Sequence, residues 1–245
     1  MKNRLLDNSQ MLTDEESDKW IEIAFPAVTV AIIVSILLPN LIVELREYFN
    51  IIFPKLLKIT ISAVTVQILL IVPVMIIALI ISQKIKLRDK FRIINWKNDF
   101  IKQALVYELF LFLPLIIISA IMFYIATNLG IDTSSPIKAI LDNSGFYGKL
   151  IIFVVAVFIA PIVEEIVFRR IVFTFIYNLF GITPALIIAS FVFSVLHGGI
   201  VQLIPLFILG SALQILYIRN NSLFPSILLH FFHNFIILSL FFIAG

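Results

Sequence analysis

Residues 161–170 read PIVEEIVFRR, two glutamates and two arginines set between the apolar runs LIIFVVAVFIA (150–160) and IVFTFIYNLF (171–180). Runs of this kind are built to sit in lipid, where an ionisable side chain costs on the order of 3 kcal/mol or more unless a partner or a polar cavity receives it. The stretch therefore marks a transmembrane helix whose charged turn faces the inside of a bundle. Its surroundings decide what that turn is for.

With 61% hydrophobic and only 13% charged residues, the 245-residue chain carries more apolar surface than a soluble domain can bury. The apolar runs are continuous and do not alternate, which excludes a closed barrel. The expected fold is an all-α, polytopic transmembrane helical bundle of about seven or eight spans. Seven are placed at about 21–43, 55–82, 101–129, 150–178, 183–197, 200–218 and 223–243, and the second half of the long fourth span has room for an eighth, re-entrant or interfacial, segment. The fifth is short, punctuated by Pro184 and by Gly198-Gly199.

The stretch QKIKLRDKFRIINWKND before the third span holds six Lys/Arg, against two between Gly130 and Lys149. Positive charge stays inside, so residues 83–100 are assigned to the cytoplasm, as is the N-terminus, while the C-terminus falls outside. The first 19 residues are polar and acidic and lack the apolar core of a cleavable signal, so the first span is expected to serve for insertion. Two units follow: 1–99, with two accessory spans and the basic loop, and 100–245, where the polar chemistry lies. Cysteine is absent, which removes disulfides, thiolate metal sites and cysteine nucleophiles. Apart from a high pI nothing speaks for nucleic acid, and none is expected as a partner.

Residues 150–245 contain two acids, Glu164 and Glu165, and all three histidines, His197, His230 and His233. Glu165 and Arg169 are four apart, the spacing that pairs side chains along one helical face. Glu164 is turned about 100° from Glu165 and has no obvious partner within its own span. His197, with Phe193 four residues earlier, and His230, with Asn234 four residues later, are candidates to meet it at mid-membrane depth. A carboxylate beside imidazoles in a desolvated pocket suits general-base activation of water, and histidine can orient that water or donate to an oxyanion. Glu164, His197 and His230 are also candidate ligands for zinc or another divalent ion with an open position, so metal-bound and metal-free attack both remain open. Bland readings exist for each group: a buried ion pair for Glu165 and Arg169, a helix cap for His197, interhelical hydrogen bonding for His230 and Asn234. His233 fits no motif and is read as lumen polarity, and Phe193 as packing.

EEIVFR (Glu164, Glu165, Arg169), FSVLH (Phe193, His197) and HFFHN (His230, Asn234) resemble, in order, the Glu-Glu-x-x-x-Arg, Phe-x-x-x-His and His-x-x-x-Asn motifs of the CAAX prenyl protease and bacteriocin-processing (CPBP, or Abi) family. The resemblance covers roughly residues 100–243. It implies an all-helical intramembrane endopeptidase, commonly labelled a metalloprotease, with its polar cavity open toward the cytosol. By that resemblance Glu164 and His197 would activate water, His230 and Asn234 would stabilise the oxyanion, and Glu165 and Arg169 would support the site. The bias toward Ile, Lys, Asn and Phe suggests a low-GC bacterium and its plasma membrane. The expected partners are then the lipid bilayer and a peptide or membrane-protein substrate, in peptide or bacteriocin maturation or self-immunity. The competing classes are a non-proteolytic scaffold or regulator of envelope proteins and a proton-coupled transporter.

Overall fold

The computed structural model describes residues 97–133, 141, 145–197 and 199–244, together with 21, 22, 24–26, 29 and 30. The second expected span, most of the first and the basic stretch before residue 97 lie outside the described residues. Among the described residues there is no strand. From residue 97 on, five helices follow one another among the described residues: α1 (Asp99–Asn128), α2 (Phe146–Phe180), α3 (Ile182–His197), α4 (Ile200–Asn220) and α5 (Phe224–Ala244). They correspond to the expected third to seventh spans. All but α3 are long and apolar enough to cross a membrane, and α3, at 16 residues, is the expected short span.

The expected eighth segment is absent from its assigned place, because α2 runs unbroken to Phe180. Its 35 residues rise about 52 Å, well beyond a hydrocarbon core of about 30 Å. The helix absorbs this length and its charged turn through two π-helical stretches, Val155–Ile159 and Ile166–Val172. In the first, the Ala160 N–H donates to the Val155 carbonyl, five residues back. The next bond of that register would come from residue 161, a proline with no N–H. The Ala156 carbonyl is thereby left open, and the Asn234 side-chain amide donates to it at 2.8 Å.

Gly181, at φ 82°, ends α2 in a conformation that suits glycine and turns the chain into α3. The two helices pack as a hairpin whose arms match: Glu164 lies seventeen residues before Gly181 and His197 sixteen after it. Asn221, left-handed at φ 48°, makes the corresponding turn from α4 to α5. Near the start of α1, Tyr107 accepts from Arg219 at 2.8 Å and Gln103 accepts from Asn220 at 2.9 Å, tying α1 to the end of α4.

The main core lies where the second half of α2 meets α3 and α4, around Val167, Ile171, Phe193 and Leu213. Ile21 and Ala24 are buried in the same cluster, and Phe25 stacks on Phe175 with ring centroids 3.9 Å apart. This part of the first expected span therefore packs directly against the helical core. In contrast, α1 turns Leu109, Phe110 and Leu113 outward, as a lipid-facing helix does. At Gly210 the α4 backbone comes so near α3 that a Cβ would stand 3.2 Å from the Phe193 ring and 3.5 Å from Ser190. Small residues permit this approach in lipid, where tight packing replaces the hydrophobic drive. Gly210→Leu is expected to force the helices apart and to destabilise the protein by about 1–3 kcal/mol. The check is the thermal unfolding midpoint in detergent, where Gly210→Ala should shift it less.

Candidate active site

The matched arms of the α2–α3 hairpin bring Glu164 and His197 to the same depth. His197 Nε2 lies 2.9 Å from Glu164 Oε2. On its other side the ring is fixed: Nδ1 stands 2.7 Å from the Phe193 carbonyl, which can only accept, so Nδ1 carries a proton. In a net-neutral pair a single further proton is then shared between Glu164 and Nε2. The pair is thus arranged to pass one proton back and forth. Phe193 packs on the imidazole with centroids 4.1 Å apart, so the Phe-x-x-x-His spacing supplies both the carbonyl clamp and an apolar wall.

α5 adds His230, 3% exposed, whose Nδ1 is 3.0 Å from Glu165 Oε1 and whose Nε2 is 3.7 Å from Glu164 Oε2. One imidazole thereby touches both neighbouring glutamates. Glu165, wholly buried, turns its other oxygen to Arg169, whose Nε is 3.0 Å away in an ion pair rather than an aligned hydrogen bond. Arg169 also reaches the Gly210 carbonyl at 3.4 Å and lies over the Phe193 ring at 4.5 Å. An arginine at membrane depth is tolerable under such conditions, with a carboxylate, a carbonyl and an aromatic face around it.

Glu164, Glu165, Arg169, Phe193, His197 and His230 therefore form one connected cluster. Asn234 joins it only through the backbone, since its amide nitrogen donates to Ala156 as described above. His233 is drawn elsewhere, with Nδ1 3.2 Å from Oε1 of Glu108 on α1. The sequence reading assigned no role to Glu108, an acid buried to 3% exposure. The signal was present, because Glu108 is an ionisable residue inside the apolar third span.

The donor types of Glu164, His197 and His230 suit zinc. Among the described residues, however, no three His, Asp or Glu side chains are grouped as an ion's ligand set, and the His197 Nε2 faces the carboxylate directly.

Removing Glu165 strands Arg169 and unpairs His230 Nδ1, so Glu165→Ala is expected to cost about 3–5 kcal/mol, read as a lowered unfolding midpoint in detergent. The double change Glu165→Gln with Arg169→Met removes both charges and should cost less than Glu165→Ala alone.

Residues 146–236, which run from the start of α2 into α5, match the family model described as type II CAAX prenyl endopeptidase Rce1-like. Comparison with curated proteins and with solved structures finds no significant match. That segment carries Glu164, His197, His230 and Asn234, and over it the chain is similar to the Rce1-like type II CAAX prenyl endopeptidases.

Proposed function

We propose that this protein is an intramembrane endopeptidase that hydrolyses a membrane-associated peptide or protein by water attack, with Glu164 as general base and His197 as its proton partner. The observation that carries this reading is the 2.9 Å contact between Glu164 Oε2 and His197 Nε2 in a buried setting, with the far side of the ring clamped at Phe193. Water held by Glu164 loses its proton to the carboxylate as its oxygen attacks the scissile carbonyl. While Glu164 acts as base the shared proton stays on His197 Nε2, which releases it to the leaving amine as Glu164 keeps the proton taken from water, so that the pair returns to a single shared proton. His230, anchored through Nδ1 to Glu165, keeps Nε2 near Glu164, where in its protonated form it donates to the tetrahedral oxyanion. Glu165 and Arg169 act through His230 as positioning residues. Asn234 supports this arrangement by holding the α2 backbone at Ala156, which keeps α5 against the helix that bears both glutamates.

The composition favours a bacterial plasma membrane, so the substrates are non-prenylated: signal-peptide remnants, small secreted peptides or bacteriocin precursors, with maturation or self-immunity as the outlet. The contacts of Tyr107 with Arg219 and of Gln103 with Asn220 support the assigned topology, because they put the beginning of α1, which follows the basic stretch, on the same face as Arg219.

Purified wild type, incubated in detergent with membrane-extracted small peptides and read by mass spectrometry, is expected to generate products that Glu164→Gln and His197→Ala do not. Each variant should lose at least about 100-fold in rate while accumulating normally. Activity should survive exhaustive chelation, and its loss with restoration by zinc would replace the metal-free mechanism. Unchanged peptide profiles in both variants would favour a non-proteolytic scaffold. The natural absence of cysteine allows a second check. A single cysteine at position 219 is expected to react with an impermeant maleimide from the cytoplasmic side only.

A further inference from the structure

A second acid–imidazole pair lies beside the first and has no part in the chemistry described so far. Glu108 is residue ten of α1 and His233 residue ten of α5, and the two meet at 3.2 Å between Oε1 and Nδ1. Glu108 belongs to a helix outside the segment that matches the Rce1-like family. Its Oε2 is shut into the protein with no hydrogen-bond partner among the described residues. With Nδ1 held at the Glu108 carboxyl group, Nε2 is the nitrogen of His233 left to meet a ligand. Whenever the pair carries no net charge, Nε2 bears a proton, because either a carboxyl group donates to Nδ1 or a carboxylate accepts from an imidazolium.

That donor has a place to act. His233 and Asn234 from α5 and Gln202 from α4 bring polar groups to a cavity of about 250 Å³ whose remaining wall is mostly apolar, with Leu115 and Ser119 from α1, Ala156 from α2 and Leu206 from α4. Among the described residues Nε2 of His233 makes no hydrogen bond, and it is not among the enclosed polar atoms. The cavity begins one helical turn beyond His230, whose Nε2 is 3.7 Å from Glu164. It is smaller than the roughly 300–1,000 Å³ of pockets that enclose a whole small ligand, and it matches a single bulky side chain. A peptide opened for hydrolysis in a membrane must leave its helix near the scissile bond, and the carbonyls so freed need donors in place of water.

We propose that this cavity is a substrate subsite: it takes one bulky apolar side chain of an unwound peptide, while His233 Nε2 donates to a freed backbone carbonyl next to it. Glu108 is the positioning residue that holds His233 in that role. The assignment rests on the peptidase reading for its substrate, but its test is a binding measurement that needs no turnover.

The probe is a fluorescent Gly/Ala-rich peptide with lysine ends, about 20 residues long, carrying one central Phe, compared with the same peptide carrying Ala. Both are titrated against full-length Glu164→Gln in nanodiscs. The Phe peptide is expected to bind at least about ten-fold more tightly, the discrimination an apolar pocket supplies. Adding Ser119→Phe or Leu206→Trp, which fill the cavity from two different helices, should erase the preference and leave Ala-peptide binding intact. His233→Ala and Glu108→Ala should each weaken both peptides several-fold and preserve the preference, and Glu108→Gln, which still pairs with Nδ1, should recover most of the loss. The subsite is wrong if the Phe preference persists in both filled variants, if His233→Ala leaves binding unchanged, or if added fatty acid competes with the Phe side chain and so marks the cavity as a lipid site. Cleavage of the same peptides by wild type is scored separately. Binding with the expected preference but no cleavage would overturn the peptidase reading and keep the subsite.

Discussion

The structure depends on the neutralisation of one buried arginine. Arg169 sits wholly inside the bundle, and Glu165 is its carboxylate partner. Because Glu165 offers its second oxygen to His230, the ion pair is also the post to which α5 is fastened. Three helices are drawn to that point: α2 supplies both charges, α4 the Gly210 carbonyl and α5 the imidazole. In lipid, where apolar side chains gain little by leaving the solvent for one another, a polar knot of this type sets how the helices sit. The proposed reaction needs that fixity, since Glu164 stands one residue away on the same helix.

Backbone register does the complementary work. An ordinary α-helix through Pro161 would lose one hydrogen bond and clash with the turn before it. The π stretch at Val155–Ile159 moves the missing bond to Ala156, where Asn234 replaces it. A helix irregularity is thereby converted into an interhelical contact, and His230, one turn from Asn234, is placed by the same event. The second π stretch carries Arg169 and Arg170 with every one of its residues buried. Such local widening is characteristic of functional segments in helices.

Much of this was readable from residue order. The helix boundaries followed from apolar run length and from Pro184 and Gly198-Gly199, and the Glu165–Arg169 pair from its spacing of four. The meeting of Glu164 with His197 was legible as a matter of depth, though its closeness depended on the hairpin geometry. Other features were not legible. The bond from Asn234 to Ala156 is one, because nothing in the sequence reveals which carbonyl a π turn leaves open. The supposed eighth segment came from length alone, whereas α2 carries its surplus length as one continuous, partly π-helical rod. Glu108 and His233 are separated by 125 positions, and their pairing arises from two parallel helices entering at matching levels.

The hairpin about Gly181 also acts as a ruler for chain length. Glu164 and His197 meet because the arms on either side of the glycine are nearly equal, so the interval between them tolerates substitution far more readily than insertion or deletion. One residue added to either arm would swing its reactive group by about 100° around the helix and raise or lower it by about 1.5 Å. An extra turn in a single arm would restore the facing direction but leave the two groups at different depths. Only balanced changes in both arms preserve the encounter. Divergent chains built on this plan should accordingly vary in the side chains between these two positions, apart from Glu165, Arg169, Gly181 and Phe193, while holding their number nearly constant.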